Sequence, residues 1–386
     1  MGKRYFAGRA AVLLMGTAVF SGTFWEGDAS AAGRVALSHK NITIQAGRSK
    51  ILRLKNSKAK AHWSITAGRQ YIKLSGKKSQ SVKVIAVKKG TARVQAKAGG
   101  KKYTCKVTVT AKDVSSKRNA ADIAAVKKVI KEQRAHGAYE DIENLDDAYR
   151  YFWDKDGRLT KINWTGCNLQ GDVSVKGLSA LKEFYCSDNQ VQSLDVSGNP
   201  ALAVLACGKN QLASLDVGNN PDLRELYCYR NQLKGIDVSA NRELSTFSCY
   251  NNNISGIDVS RNTKLAVLDC NTNNLGGLDV SSNKLLGVLH CHKNHIASLD
   301  VTENVSLTEL ACNDNQITEL DVRNNVDLEN LYCGGNQLKE LDTSRNTKLL
   351  ILSCRSNFIT ELDVSKNSQI AILEVDNDVE VKKAFS

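Results

Sequence analysis

Hydrophobic positions recur with a period of 21 residues over the second half of the chain, in the pattern L-x-x-L-x-C-x-x-N-x-L-x-x-L-D-V-x-x-N-x-x. Around each Cys the apolar and polar residues alternate, as in Leu226-Tyr227-Cys228-Tyr229, which predicts a short strand with one buried face. So short a strand cannot bury its apolar face alone. We therefore expect successive units to stack about 4.8 Å apart and to form one parallel sheet.

Cysteine occupies the same position in nine successive units, and in-register stacking should put the nine thiols in one buried row. Their Cβ atoms should then lie about 4.8 Å apart, outside the roughly 3.5–4.5 Å that a disulfide prefers. A row of thiols also lacks the converging ligands of a metal site. We therefore predict a packing ladder of free thiols without metal. Its members are Cys186, Cys207, Cys228, Cys249, Cys270, Cys291, Cys312, Cys333 and Cys354.

Two asparagine series follow the same period, from Asn189 to Asn357 and from Asn199 to Asn367. Where the chain turns after a strand, its backbone N–H and C=O groups have no partner in a sheet or helix. Asparagine side chains can both donate to and accept from such groups. We interpret both series as structural ladders that bind the backbone, not as ligands for a small molecule.

The repeat unit resembles the leucine-rich repeats, and in particular the cysteine-ladder repeats of the internalins, from Leu159 to Val379. The resemblance implies a curved, right-handed solenoid over residues 159–386, whose parallel strands line a concave binding face. It also implies adhesion or ligand binding and no catalysis. One departure is that both prolines, Pro200 and Pro221, lie inside repeats, so this sequence has no Leu-Pro-x-Thr-Gly sorting motif.

The first 32 residues have the pattern of a secretory signal peptide. Lys3 and Arg4 precede an apolar run from Ala10 to Phe20, and Ala29-Ser30-Ala31 offers a small-x-small cleavage site. The apolar run is well short of the roughly 20 residues of a membrane-spanning helix. We expect cleavage near Ala31, export of the protein, and no transmembrane segment in the mature chain.

Residues 33–112 alternate with period two, which predicts an all-β domain with Gly99-Gly100 as a hairpin turn. The predicted strands lie at Ile42–Ile44, Ile51–Leu54, Val82–Val84, Ala92–Ala96 and Tyr103–Val109. We expect a β-sandwich with Trp63 and a free Cys105 in its core. The order of these segments resembles the bacterial immunoglobulin-like domain of group 2. That resemblance implies a spacer or adhesive module of a surface protein.

Between the two repeating patterns we expect a helical linker over 113–136 and an N-terminal cap over 137–158. Ile123, Val126, Val129 and Ile130 have the spacing of an amphipathic helix. The cap should cover the apolar end of the first coil, in which Trp164 takes the cysteine position. At the other end a partial coil leaves an open sheet edge. The hypothesis here is that this edge pairs with a second chain to form a dimer.

Charge divides the chain. Residues 33–118 contain 23 Lys and Arg against one acid, whereas residues 119–386 contain 27 Lys and Arg against 37 Asp and Glu. A strongly basic exported domain is expected to associate with anionic cell-wall polymer. Without a recognisable nucleic-acid fold, a nucleic-acid partner is not expected. The alternative is a solvated basic surface with no partner.

The sequence has no Gly-rich phosphate loop, no H-E-x-x-H and no nucleophile elbow. One coil contains His290, His292 and His295, with Asp269 and Glu309 in the coils on either side. This cluster could form a zinc site of a metal-dependent hydrolase, but we interpret it as a polar contact surface. We expect no cofactor.

The outward positions beside the cysteines change from coil to coil, and the middle coils carry aromatic and charged groups that suit a binding site. The candidate ligand-binding residues are Tyr227, Tyr229, Arg230, Tyr250, Asp269, His290, His292, Lys293 and Tyr332. The sequence thus favours an exported surface protein that binds an extracellular protein or glycan through this face. The alternative is a wall-associated spacer without a specific ligand.

Overall fold

The computed structural model describes residues 35–57, 61–76, 78–110 and 118–383. The predicted signal peptide lies outside these ranges. Within them the chain forms a small β-domain, a helical cap and a long solenoid. In this part of the chain no helix is long and apolar enough to span a membrane.

The N-terminal β-domain has two sheets that share one apolar core. Its strands are β1 (Ala36–Leu37), β2 (Asn41–Gln45), β3 (Ser49–Lys55), β4 (Ala61–Ala67), β5 (Ile72–Ser75), β6 (Lys78–Ser79), β7 (Ser81–Ala86), β8 (Gly90–Ala98) and β9 (Lys101–Thr110). One sheet has the order β1-β3-β7-β5 and the other β2-β9-β8-β4-β6. Trp63 and Cys105 are both buried between them, as predicted.

The hairpin at Gly99-Gly100 is confirmed, because it joins β8 to the antiparallel β9 with both glycines at positive φ. Strands β4 and β5 were not among the predicted ones. A register shift between Ile65 and Ala67 interrupts the pairing of β4 with β8, so its polar and apolar positions do not keep a clean period of two. In β5 only Ile72 is fully buried.

The solenoid contributes one twelve-stranded sheet and two short two-stranded sheets. The strands of the large sheet are β10 (Tyr151–Trp153), β11 (Leu159–Asn163), β13 (Glu183–Tyr185), β15 (Val204–Ala206), β16 (Glu225–Tyr227), β17 (Thr246–Ser248), β18 (Val267–Asp269), β19 (Val288–His290), β20 (Glu309–Ala311), β21 (Asn330–Tyr332), β22 (Ile351–Ser353) and β24 (Ile372–Glu374). The short pairs are β12 (Gln170–Ser174) with β14 (Gln190–Asp195), and β23 (Glu361–Asp363) with β25 (Glu380–Lys382). From β11 onward all neighbours in the large sheet are parallel.

In the strands of the middle coils, each residue pairs with the residue 21 positions later, as in Leu226 with Phe247. The buried rows that result have no break between coils. The nine predicted ladder cysteines are free and buried, which confirms the packing ladder. Burial raises the pKa of the Cys249 thiol well above its ordinary value, and the neighbouring Cys228 and Cys270 add to the shift. These thiols are therefore protonated and unreactive at neutral pH.

Replacing Cys249 by serine should lower the free energy of unfolding by about 1–3 kcal/mol, because the smaller hydroxyl would lie unpaired in an apolar row. Urea denaturation of the full chain measures this loss. The Cys249→Ala variant is the matched control and should lose no more than the serine variant. Disulfides between neighbouring ladder cysteines in the native protein would contradict this account.

Both asparagine ladders bind the backbone, as predicted. In the first series Asn252 donates from Nδ2 to the carbonyls of Cys228 and Cys249, at 3.1 and 2.9 Å, and its Oδ1 accepts from the N–H of Leu233. In the second series the fully buried Asn262 donates to the carbonyls of Val238 and Asn241. Both series therefore tie each coil to the one before it, and the first also stabilises the bend after its own strand.

The second series has an exception at its last member. The Oδ1 atoms of the eight earlier asparagines, from Asn199 to Asn346, accept no hydrogen bond from the described residues. At the ninth, Thr343 replaces the valine of the repeat, and its Oγ1 donates to Asn367 Oδ1 at 2.9 Å. Threonine in place of valine at position 343 therefore gives the last asparagine of the series the donor that the other eight lack.

The helix α1 (Ala120–Ala135) begins at the N-cap Asn119, and its side-chain oxygen accepts from the N–H groups of Ala121 and Asp122. The sequence predicts a linker here. The structure instead packs Val126, Val129 and Ile130 into the same core as the solenoid. A solenoid needs such a cover, since its first coil would otherwise expose its apolar interior.

A 3-10 helix (Glu140–Glu143) follows α1 and precedes β10. At this end of the core, the Trp164 ring is buried edge-on against Tyr151 and Phe184, with ring centroids 6.4 and 5.8 Å away. The Trp164 Nε1–H donates to the Tyr151 hydroxyl. The large ring thus fills the position that cysteine takes in later coils, as predicted.

Candidate ligand-binding face

The outward side chains of the large sheet form one surface, which we call the strand face. In each coil it consists of the residues three and one before the ladder cysteine and the residue after it. In the coil of Cys228 these are Glu225, Tyr227 and Tyr229. Parallel pairing in register puts equivalent residues of neighbouring coils side by side, about 4.8 Å apart. The strand face is therefore a set of rows whose composition changes along the solenoid.

Two of the predicted tyrosines form a stack. The rings of Tyr229 and Tyr250 lie 4.7 Å apart between centroids and 1° from parallel. The ring of Tyr229 also lies over Gly208 in the preceding coil, where a Cβ would come within 2.7 Å of it. The guanidinium of Arg230 lies 6.0 Å from the centroid of Tyr250. Each ring is half-buried, so the ligand would meet ring edges and hydroxyls more than open ring faces.

The tyrosines before the cysteines make a different contact. The hydroxyl of Tyr227 donates to Glu225 at 3.0 Å, and that of Tyr185 donates to Glu183 at 3.1 Å. Burial, followed by the charge and hydrogen bond of Glu225, raises the pKa of Tyr227 well above its ordinary value. These hydroxyls are therefore fixed as neutral donors with their carboxylates at the edge of the stack.

The next coils form an ionisable cluster. His290 Nε2 lies 2.8 Å from Glu309 Oε1. Burial alone would lower the pKa of His290, but the hydrogen bond with Glu309 and the charges of Asp269 and Glu309 raise it overall. The hydrogen bond from His290 in turn lowers the pKa of Glu309. Burial raises the pKa of Asp269. The cluster thus places His290 between two carboxylates that favour its protonated form.

His292, in the same coil as His290, has the opposite behaviour. Burial, the charge of His290 and that of Lys293 lower its pKa to about 4. The two imidazole rings are 6.3 Å apart between centroids. His292 is therefore neutral at neutral pH, whereas the carboxylates around His290 favour its protonated form.

The remaining predicted residues border these two groups. Arg230 and Lys293 are exposed and have positive φ, because they occupy the turn position just after the strand face. Tyr332 is half-buried and lies two coils beyond His290, with Ala311 between them in the same row. It is thus separate from the tyrosine stack.

The third histidine of the zinc hypothesis, His295, is exposed, whereas His290 and His292 are half-buried. Across the described ranges, no group of three or more His, Cys, Asp or Glu side chains is arranged to hold a metal ion. The geometry instead pairs His290 with one carboxylate of the neighbouring coil.

Sequence reasoning missed Gly208 and Glu225. Gly208 has no side chain to suggest a role, yet its missing Cβ leaves room for the ring of Tyr229. Glu225 lies two residues before Tyr227, one row further from the cysteine, and its carboxylate accepts the hydrogen bond that fixes the hydroxyl of Tyr227. A Glu-x-Tyr pattern on a strand was the available signal for the second contact, since residues two apart share a face.

Comparison with solved structures supports the repeat fold. The functional domain of InlJ from Listeria monocytogenes, which includes a cysteine ladder, is 33% identical; the match covers 56% of this chain and 53% of that one, with a TM-score of 0.49. The internalin InlF from Listeria monocytogenes strain 4b F2365 is 21% identical, with 68% and 76% covered and a TM-score of 0.50. A TDR receptor is 18% identical, with 55% and 42% covered and a TM-score of 0.50.

The match thus spans about half the length of the InlJ chain. No family model matches the sequence, and no curated protein matches it. With the strand order and the ladders described above, the likenesses to InlF and to the TDR receptor show a mostly-β leucine-rich-repeat solenoid of about 11 turns.

Proposed function

We propose that this protein is an exported, internalin-like binding protein that recognises a protein ligand through its strand face. The observation that carries the proposal is the packed group formed by Gly208, Tyr229, Tyr250 and Arg230. Tyrosine supplies a large contact area with little loss of side-chain entropy, and both tyrosine and arginine are enriched in binding hot spots. Here the stacking already orders the rings before any ligand binds, which reduces the entropic cost of association.

A protein ligand suits this surface better than a glycan. Sugar recognition on aromatic side chains needs an open ring face, but one face of Tyr229 is covered by Tyr250 and its ring end lies over Gly208. The exposed edges, hydroxyls and nearby carboxylates match peptide N–H and C=O groups and basic side chains. The ionisable cluster around His290 adds polar complementarity at the next coils.

The β-domain is proposed to be an immunoglobulin-like module of group 2, and the chain to reach the cell surface through the predicted signal peptide. Support comes from the two sheets around Trp63 and Cys105 and from the sequence resemblance. We also propose that this strongly basic domain associates with anionic cell-wall polymer, which would hold the solenoid at the surface. The protein would then be a non-enzymatic adhesion or binding protein.

The Tyr227, Tyr229, Tyr250→Ser triple variant tests the strand face. Wild-type protein is screened against purified extracellular proteins and a glycan array, and each ligand found is titrated against both forms by calorimetry. We expect affinity to fall about tenfold or more, or at least 1.4 kcal/mol, because the ordered contact area is lost. The melting temperature should change little, since the three rings are only half-buried.

Two further variants make the test specific. Gly208→Ala keeps all three tyrosines but forces the ring of Tyr229 to move, so it should weaken binding without removing any aromatic group. Tyr149→Ser removes an exposed tyrosine of the cap and should leave affinity unchanged. Ligands that bind the triple variant normally would place the binding site elsewhere, and a screen without ligands would favour the spacer alternative.

A further inference from the structure

The outer face of the five-stranded sheet β2-β9-β8-β4-β6 carries its cations in pairs. Arg93 lies directly opposite Lys106, and Lys97 lies directly opposite Lys102, on the antiparallel strands β8 and β9. All four side chains are exposed. Directly opposite residues have Cβ atoms about 4.5–5.5 Å apart, so each pair concentrates two positive charges in one place. We call these four residues the paired-cation face.

The spacing between the two pairs follows from the strand geometry. Arg93 and Lys97 are four residues apart on β8, which corresponds to about 13 Å along the strand. The row between them is neutral, with Gln95 opposite Thr104. Positive charge therefore repeats along one direction of a flat surface, with hydrogen-bonding side chains in between.

The other sheet of the same domain does not have this arrangement. On its outer surface Lys83 lies opposite Ile51 and Ser75, and Lys73 lies opposite Ile85. Both lysines are exposed, as on the paired-cation face. The basic composition of the domain does not by itself produce pairs of cations, because the same composition gives lysines opposite neutral residues on this sheet.

In the part of the chain that the structure describes, the paired cations also have no counter-charge. Among the described residues, the β-domain makes two ion pairs, both with the cap. Arg48 contacts Asp146, and Arg53 contacts Asp141. Like charges directly opposite each other destabilise a sheet. An anion that binds across both pairs would remove this repulsion.

We propose that the paired-cation face binds a linear polyanion with repeating phosphate groups, in an extended form along β8 and β9. This inference rests on the proposed association of the basic domain with anionic polymer, and it gives that association a surface and a ligand chemistry. A membrane is a poorer fit, because the only large, exposed apolar side chain described in this domain is Val87, which follows β7. A nucleic acid is a poorer fit, because Trp63 is buried and cannot stack on bases.

The test compares two doubly substituted full-length proteins with the same loss of charge. Lys97→Gln with Lys102→Gln changes the paired-cation face, and Lys73→Gln with Lys83→Gln is the matched control on the other sheet. Binding of linear inorganic polyphosphate is titrated at several salt concentrations. We expect the first variant to lose about tenfold in affinity and to show a shallower dependence on salt. The control should lose less than about twofold.

A second measurement separates lost binding from lost folding. The melting temperature of the Lys97→Gln, Lys102→Gln variant should be equal to or above that of the wild type, because a repulsive pair is removed. Equal losses of affinity in both variants would overturn the paired-cation face while leaving the association with anionic polymer intact. Absence of polyphosphate binding by the wild type, even in low salt, would remove both.

Two further probes identify the occupant. Vesicles of phosphatidylglycerol and a single-stranded oligothymidylate are titrated under the same conditions. We expect both to bind more weakly than polyphosphate at equal phosphate concentration. If either probe binds more tightly than polyphosphate, and this binding depends on Lys97 and Lys102, the proposal of a linear polyanion is overturned. The paired-cation face would then be assigned to a lipid surface or to a nucleic acid.

Discussion

Replacing Asn262 by alanine is expected to lower the free energy of unfolding by about 2–4 kcal/mol. Its Nδ2 donates to the carbonyls of Val238 and Asn241 at 3.0 and 2.9 Å, and the side chain is fully buried. Each carbonyl also accepts a backbone N–H, Val238 from Asn241 and Asn241 from Leu244, so alanine would remove one of the two hydrogen bonds that each accepts. Each lost hydrogen bond costs about 0.5–1.5 kcal/mol, and the void left by the buried amide adds to the loss. Urea denaturation followed by circular dichroism measures the loss.

The matched control is Asn253→Ala, an exposed asparagine of the neighbouring turn with no side-chain hydrogen bond to the described residues. Its effect should stay within about 0.5 kcal/mol. A loss for Asn262→Ala no larger than that of the control would mean that the backbone N–H groups already bonded to the two carbonyls satisfy them without the amide. The second asparagine series would then not hold the coils together.

The solenoid could be predicted from the sequence because every coil has nearly the same environment. A residue buried in one coil is buried in the next, so the period of 21 in the sequence becomes the register of the sheet, as in Leu226 with Phe247. Cys249 and Asn262 were assigned to interior ladders on this basis, and the structure confirms both roles. The alternation around each cysteine likewise identified which residues face outward.

The contacts on the strand face could not be predicted in the same way. Alternation shows that Tyr227 and Tyr229 both point outward, but their side-chain rotamers depend on neighbours in other coils. Tyr229 stacks on Tyr250, whereas Tyr227 donates to Glu225 in its own strand. The period shows which coils are adjacent, but only coordinates distinguish these two outcomes.

The cap shows the same limit at a larger scale. The spacing of Val126, Val129 and Ile130 predicted a helix, but an amphipathic pattern does not show which surface covers its apolar face. In the structure that surface is the first coil of the solenoid. The buried carboxylate of Asp122 holds the helix there. The sequence shows Asp122 only as an acidic residue in the first turn of a helix, which does not indicate this contact. Its partner Arg158 is 36 residues away.

Replacing Asp122 by alanine should detach the cap and lower the free energy of unfolding by about 2–4 kcal/mol. Asp122 is 2% exposed and accepts three hydrogen bonds, from Nε and Nη2 of Arg158 and from the N–H of Leu159. Alanine leaves the Leu159 N–H buried and unpaired. The side chain of Arg158 is about one-third exposed, so water partly replaces the hydrogen bonds that its guanidinium loses. The expected loss is therefore smaller than the roughly 3–5 kcal/mol for a fully buried ion pair.

Hydrogen exchange distinguishes loss of the cap from a general loss of stability. In the Asp122→Ala variant the amides of α1 and β11 should exchange faster, while those of β19, six strands beyond β11 in the sheet, should keep their protection, because each coil contacts only its neighbours. The Asp122→Asn variant is the matched control. It can still accept from Leu159 and should lose less than the alanine variant. Unchanged exchange at β11 would show that the first coil is closed by Trp164 and its aromatic neighbours alone, with α1 contributing no cover.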